Sequence, residues 1–491
     1  MSVQTASPQT IDFFPGSPIL FQEGDGRFSG DGGLLLFRQL DDDLGFTQAF
    51  ASVLNDPRDP QLIEHSTVEM VRLRVFGILA DYEDQNDTDT LLTDPIFKLL
   101  LNRACDGRDL PSQPTLSRFE NSIDIASLKN LAELFIDEFL DSFDSPPRHL
   151  VFDMDAVDDP AHGHQQLTFW HNYYDQNQYY PLFITCANND LLVMLSLRHG
   201  TAHAALGAPD DLEHLVRRLR QRWPDVVIHI RGDAAFGIPD LYEVCDRLGL
   251  LYLFGLCGNS VLLRRSETLL QQALAAWQLE QEAARQQERV ARPVRLFEGF
   301  WYRAGTWDRL RWVVVKAEVN EQGSQRRFVV TNRTGAQMYP GACYDEYAGR
   351  GESENRHKEF KCDLHMGRLS NHRFCANYFR LYLHALAMNL AVRMRRLVAL
   401  PEPPREEDAL PSEALDGEAR QAHFRQRRQR DILGGGQPAT WRRMLIKVAV
   451  QVVQSGRRIL IRMSTSWPHL EQFQQVFQRL RAALALQPAS Q

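Results

Sequence analysis

Two adjacent prolines, Pro146 and Pro147, split the sequence into two kinds of periodicity, and that change limits the possible folds more than any other feature. Proline fixes φ and offers no N–H, so neither a helix nor a strand ladder runs smoothly through such a pair. Before it, apolar residues recur at helical spacing in 34–54, 68–82 and 128–143. SQPTLSRFEN (112–121) adds a helix start, with Ser112 and Thr115 as caps and Pro114 in the first turn, and reads better as a bundle helix than as part of a helix-turn-helix. After the prolines come short apolar runs at 149–157, 179–186 and 191–200, and an amphipathic helix over 209–223. A strand over 225–236, a helix over 238–249 and a strand over 250–256 follow. The order β-β-β-α-β-α-β predicts a mixed sheet, three antiparallel strands first and then parallel strands joined by helical crossovers.

At 491 residues the chain is too long for one core. The expected division is a helical N-terminal domain (1–145), a first part of the α/β core (146–258) and a β-rich inserted module (259–344). The second part of the core (345–400) and a linker with a basic C-terminal region (401–491) complete it. A composition of 44% hydrophobic and 24% charged residues excludes a wholly disordered chain. No stretch approaches the ~18 apolar residues of a membrane span, and the N-terminus lacks the pattern of a cleaved secretion signal. Seven scattered cysteines with no CxxC argue against a disulfide or zinc scaffold and point to a reducing cytoplasm. The net charge of −8 hides a polarity: residues 1–150 hold 11 basic and 26 acidic side chains, residues 350–491 hold 24 and 13. Screening confines phosphate attraction to about 10 Å, so a locally basic region binds nucleic acid despite an acidic total.

Three carboxylates stand out by placement. Asp155 lies at the C-terminal end of the first core strand, with Asp153 two residues earlier on the same pleat face. Asp233 ends a second buried strand, and Glu354 lies on a helix after the inserted module. Carboxylates gathered at strand ends are costly unless a cation neutralises them. Hard oxygen ligands from separate elements suit Mg²⁺, and two such ions ~3.5–4 Å apart would stabilise both oxygens of a phosphoryl displacement. Tyr347, Arg350, Glu354 and Lys361 fall inside an arc of about 60° on one helix face, which sets a carboxylate beside two cations and a phenol suited to phosphate. Gly349 and Gly351 weaken that helix locally.

Those residues resemble a known family. FDMDAVDD, RGDAAF and Tyr347-x2-Arg350-x3-Glu354-x6-Lys361 are similar to the motifs of bacterial insertion-sequence DDE transposases, most of all the insertion-sequence family thirteen-eighty. YEDQNDTDTLLTDPIFK (82–98) and SQPTLSRFEN support the resemblance, which spans nearly the full length. It implies an RNase H-like mixed sheet with a β-rich insertion, and catalytic, metal-binding Asp155, Asp233 and Glu354 holding two Mg²⁺ ions, for which Mn²⁺ substitutes. It implies DNA contacts through Tyr347, Arg350, Lys361 and Trp301, the last stacking on a flipped base. The implied partners are terminal inverted repeats and target DNA, bound by a homodimer in the bacterial nucleoid. Val157 departs from the wider group, which has Thr there, and this keeps Asp153 open as the first ligand. The expected function is metal-dependent cleavage and strand transfer. The alternatives are a stand-alone metal nuclease and a non-catalytic DNA-binding regulator. His162-Gly163-His164 reads as a polar loop rather than a zinc site. Taken from the residues alone, Trp301, Trp307 and Trp312 each read as sheet packing. The arginines of 425–430 with Arg457 and Arg458 read as sequence-independent phosphate contacts.

Overall fold

A computed structural model of the chain describes residues 9–11, 19–21, 25–400, 422, 426, 430–456 and 458–486. Strands β1 (Gln9–Ile11) and β2 (Ile19–Phe21) pair with each other, and β3 (Phe28–Ser29) leads into the helices. These are α1 (Leu34–Leu44), α2 (Phe46–Ser52), α3 (Thr67–Leu79), α4 (Pro95–Leu100), α5 (Gln113–Ser122) and α6 (Ile125–Leu140). Three of the six begin at a side-chain cap. Ser66 and Glu69 form a reciprocal capping box on α3, and Asp94 and Asp124 cap α4 and α6 through the first free N–H groups. Ser112 sits at the N-cap position of α5 but makes no side-chain cap bond. Every residue of α3 from Met70 to Leu79 is buried, so this helix runs through the core rather than along its surface.

The α/β part starts directly after the prolines. Its elements are β4 (His149–Ala156), β5 (Asp159–Pro160), β6 (Phe169–His171), β7 (Gln176–Tyr179), β8 (Leu182–Cys186), β9 (Leu192–Ser196), α7 (Ala208–Arg222), β10 (Val227–Gly232), α8 (Pro239–Arg247) and β11 (Leu251–Leu256). β4 pairs antiparallel with β8, and β8 with β9; β10 pairs parallel with both β4 and β11. This is the expected mixed pattern. The run predicted as one strand over 179–186 is two: Pro181 has no N–H to give a ladder, so β7 ends in a small sheet with β5 and β6 and β8 enters the large one.

Helices α9 (Ser260–Arg265) and α10 (Glu267–Gln286) precede β12 (Val294–Tyr302), β13 (Arg311–Asn320) and β14 (Gly323–Thr331). These strands do not form a sheet of their own. β14 pairs antiparallel with β11, so the large sheet has the order β12-β13-β14-β11-β10-β4-β8-β9. Helices α11 (Pro340–Ala348) and α12 (Gly351–Lys358) follow, then a π-helical turn at Glu359–Asp363 and α13 (Phe374–Val398). α13 is buried along most of its length and packs against α3, α5, α6 and β9, joining the N-terminal helices to the sheet. At ~1.5–3 kcal/mol for each large apolar side chain buried, this helix is the main seam of the molecule.

The C-terminal residues return to the beginning of the chain. After α14 (Pro438–Trp441), β15 (Val450–Ser455) pairs with β3 and with β16 (Arg458–Met463), and α15 (Leu470–Leu486) packs on α13 and α1. Of the basic cluster at 425–430, Arg425, Arg427 and Arg428 lie outside the described residues, as does Arg457. Among the described residues no helix is long and apolar enough to cross a membrane.

Candidate active site

Register decides what meets at the ends of the core strands. The last ladder pair between β4 and β10 is Met154 with Gly232, so Asp155 and Asp233 follow side by side on neighbouring parallel strands. One pair earlier Asp153 faces Arg231, whose Nε and Nη2 donate to the two carboxylate oxygens at 2.6 and 2.8 Å. Both side chains are buried. Arg231 can reach Asp153 because parallel in-register residues project from the same face of the sheet. Arg231 also donates to the Glu346 carbonyl at 2.9 Å and so ties α11 to β10.

Glu354 arrives from a helix that is not straight. Arg350 N–H bonds to Tyr347 O and Glu352 N–H to Gly349 O, three residues back, and this tightens the chain between α11 and α12. A Cβ at position 349 would lie 2.6 Å from Arg231 Nη1, so a side chain here would push on a guanidinium already tied to Asp153 and the Glu346 carbonyl. Beyond α12 the Glu359–Asp363 turn closes with a Leu364 N–H to Glu359 O bond, five residues back. The single arc drawn for Tyr347, Arg350, Glu354 and Lys361 is therefore divided among three helical segments. Ser353 Oγ lies 3.0 Å from Thr185 Oγ1 of β8, and the His357 and Phe360 rings pack on Phe183, which seats α12 over the β4–β8 pair.

In this arrangement Arg350 bridges two of the carboxylates. Nη1 donates to Asp155 Oδ2 at 3.4 Å and Nη2 to Glu354 Oε1 at 2.5 Å. Glu354 keeps about half of its side chain exposed, whereas Asp155 and Arg350 keep 17% and 14%. Burial alone would raise the Asp155 carboxyl, but the His357 imidazole, with Nδ1 3.1 Å from Oδ2, and the Arg350 guanidinium hold it below its usual range. Asp233 goes the other way. Burial raises it first, the Asp155 and Glu354 carboxylates add to the rise, and the Ala235 N–H and Arg350 oppose it. Asp233 thus lies within reach of the charges of both Asp155 and Glu354.

Tyr347 comes down on the Asp233 turn: a Cβ at Gly255 would lie 2.9 Å from the Tyr347 hydroxyl and 3.0 Å from the Asp233 carbonyl carbon. Lys361 Nζ bonds to Asp158, at 2.8 Å to Oδ1 and 3.0 Å to the carbonyl, just past the end of β4. Trp301 is not brought to this place. It lies on the edge strand β12, about 24 Å across the sheet from β4 at ~4.8 Å per strand, half exposed and in edge contact with Trp312 at 5.4 Å. Trp307 is buried against Tyr242 and Tyr302. The residue missed from sequence is His357, whose Nε2 is buried without a partner. Its signal was available: it lies three residues after Glu354, on the same helix face.

Among the described residues, the three-residue set whose ligand atoms all fall within 4.8 Å of one another is Asp81, Glu83 and His365, not Asp155, Asp233 and Glu354. Asp81 Oδ1 is already met by Arg442 at 2.7 Å and His365 at 3.2 Å, so its charge is answered by protein. His162, from the loop weighed as a zinc site, lies instead 2.6 Å from the Gly367 carbonyl through Nε2. A family model described as "Transposase DDE domain group 1" matches residues 15–407. No curated protein matches the chain.

Proposed function

Because the chain belongs to the transposase DDE domain family, group 1, we propose that it cuts DNA at the ends of a mobile element and joins those ends to a target. The observation that carries this is Arg350 held between Asp155 and Glu354, with Asp233 on the adjoining strand end. Enzymes of this family use divalent metals. The donor set fits one: three carboxylates, all hard oxygen donors, with Asp233 raised first by burial and further by the charges of the other two. Asp155, Asp233 and Glu354 would hold Mg²⁺, which supplies charge for the attacking and leaving oxygens of a phosphoryl displacement.

The protein's own groups then have defined tasks. His357 and Arg350 keep Asp155 ionised, ready to bind a cation. Arg350 and Lys361 offer charged donors to the phosphates on either side of the scissile bond, and the Tyr347 hydroxyl sits beside the Asp233 turn to orient a phosphate oxygen. In cleavage a water oxygen bonds to phosphorus while the bond to the 3′ oxygen breaks, leaving a 3′-hydroxyl. In joining, that hydroxyl attacks a target phosphate and a target 3′ oxygen leaves. Both are the same displacement, so one site serves both. The order of β9-β8-β4-β10-β11 supports an RNase H-like core, with β14, β13 and β12 extending its edge. The Tyr-Arg-Glu-Lys spacing supports the wider insertion-sequence group, and together with FDMDAVDD and RGDAAF it favours the insertion-sequence family thirteen-eighty within it. A homodimer would hold two element ends at once, at work on the nucleoid.

The test uses a supercoiled plasmid carrying the DNA that flanks the coding sequence, incubated with Mg²⁺. Wild-type protein is expected to give end cleavage and strand-transfer products. Glu354→Gln keeps shape but removes one ligand charge, and should lower both by orders of magnitude while end binding persists. Cleavage without joined products would mark a nuclease, and end binding without metal-dependent cleavage a regulator.

A further inference from the structure

Between the strand bearing Asp155 and its neighbour β8, the chain makes an excursion that the chemistry above does not use. Strands β6 and β7 with the His171–Gln176 turn form a hairpin whose tip is aromatic. Phe169, Trp170 and Tyr173 are 44%, 50% and 84% exposed. Behind Tyr173 the rings continue inward: Tyr173 meets Tyr174 at 5.0 Å, Tyr174 meets His171 at 5.1 Å, and His171 meets Tyr180 at 5.5 Å. Tyr180 immediately precedes Pro181, whose carbonyl accepts from the Val157 N–H at 3.1 Å, two residues beyond Asp155. A line of rings therefore runs from the candidate active site to open solvent.

The base of the hairpin is fixed. Asp159 and Pro160 pair with Tyr179 and Gln178, the Tyr179 hydroxyl donates to Gln166 O at 2.7 Å, and Gly200 N–H donates to Leu167 O at 3.1 Å. The tip is also unusual in what it lacks. Phe169 to Asp175 contains no aliphatic side chain, and residues 161–180 hold three histidines and one carboxylate but no lysine or arginine. Such a surface has nothing to grip phosphate and little to fit an apolar protein groove. It offers flat π faces bordered by hydrogen-bonding edges, which is what an unpaired nucleobase stacks on.

We propose that Trp170 and Tyr173, at the outer end of this hairpin, form a stacking platform for unpaired bases of the DNA strand entering the Asp155–Asp233–Glu354 site, an inference that rests on the DNA-processing function proposed above. Bases inside a duplex are already stacked and hide their faces, so the platform selects strand ends or locally opened DNA. It would hold the bases while the arginine and lysine of the site hold the phosphates.

The full chain is tested with fluorescein-labelled (dT)20 and with a 20-base-pair duplex of mixed sequence, by anisotropy in EDTA so that nothing is cut. Replacing Trp170→Ala and Tyr173→Ala together should weaken (dT)20 binding at least about tenfold, because each stacked base is worth several-fold or more, and leave duplex binding within about twofold. Trp170→Phe with Tyr173→Phe keeps the rings and should restore most of the (dT)20 affinity, which separates stacking from misfolding. Equal (dT)20 binding by parent and alanine variant overturns the proposal, and so does a parent that does not bind (dT)20. A fall from dimer to monomer in the alanine variant by light scattering, with (dT)20 binding unchanged, would overturn it in favour of contact with a second copy. Because binding is read in EDTA and cleavage in Mg²⁺, a failure of the catalytic reading shows in cleavage and a failure of the platform shows in binding.

Discussion

Asp153 and Asp155 differ by one turn of the pleat and live in different surroundings. Asp153 is clamped by Arg231 inside the sheet, with 1% of its side chain exposed. Removing one member of such a pair leaves the other charge buried and unanswered, which costs about 3–5 kcal/mol. Asp153→Asn should therefore lower the melting temperature markedly, with activity falling only as folded protein is lost. Joint replacement by apolar residues, Asp153→Leu with Arg231→Met, should recover most of that stability. Asp155→Asn leaves Arg350 still paired with Glu354, so it should cost less stability than Asp153→Asn while losing metal-dependent cleavage. Thermal melts and a cleavage assay on the same four proteins decide it; cleavage retained in Asp155→Asn and lost in a folded Asp153→Asn would exchange the two roles. Strand spacing gave the shared face of the two aspartates, but only the register with β10 revealed that Arg231 had taken Asp153.

At the scale of elements, helices are held to one another by buried polar groups as much as by apolar ones. Glu120 of α5 accepts from Arg74 of α3 at 3.0 Å and from Arg380 of α13 at 2.6 Å, all three buried. This is the role of the SQPTLSRFEN segment within the bundle. Glu120→Ala would leave two guanidiniums facing each other in the core and should cost about 3–5 kcal/mol, measured by urea unfolding. On α13, His384 is enclosed, pairs through Nδ1 with Leu364 O at 2.8 Å, and is pushed down to about 3, first by burial and then by Arg74. Between pH 6.5 and 3 the unfolded chain binds this proton and the folded one does not. Its contribution to stability is therefore complete above pH 6.5 and is lost as pH falls below it, at most about 1.4 kcal/mol per unit. His384→Gln should flatten the drop in urea midpoint between pH 7 and pH 5; an unchanged drop would assign the acid sensitivity elsewhere.

At the scale of the molecule, the two ends of the chain close on each other. Gly32 and Gly33 N–H groups donate to Val448 O and Ile446 O, Trp441 packs edge-on against Phe37 at 5.9 Å, and Arg442 donates to the carbonyls that end α3 and to Asp363 O. A Cβ at Gly33 would fall 1.7 Å from the Leu445 carbonyl oxygen, which backbone atoms cannot vacate cheaply. Gly33→Ala should therefore destabilise by about 2 kcal/mol or more, whereas Gly30→Ala, with open space around its Cβ, should change little; equal melting of the two variants would dissolve the claimed closure. The sequence by itself determined the local facts. Helices precede Pro146 and strands follow it, the strand order mixes antiparallel with parallel pairs, and Asp155, Asp233 and Glu354 lie at the ends or faces of their elements. Periodicity of 3.6 and 2 and proline chemistry act over a few residues, so they are written in the chain. The tertiary structure alone decided that β14 would extend the large sheet, that Arg231 would take Asp153, that Arg350 and His357 would turn to Asp155, and that residues 441–448 would cover α1. Each of these pairs residues far apart in sequence, and the choice of partner depends on register, packing and the need to answer buried charge, none of which a local pattern carries.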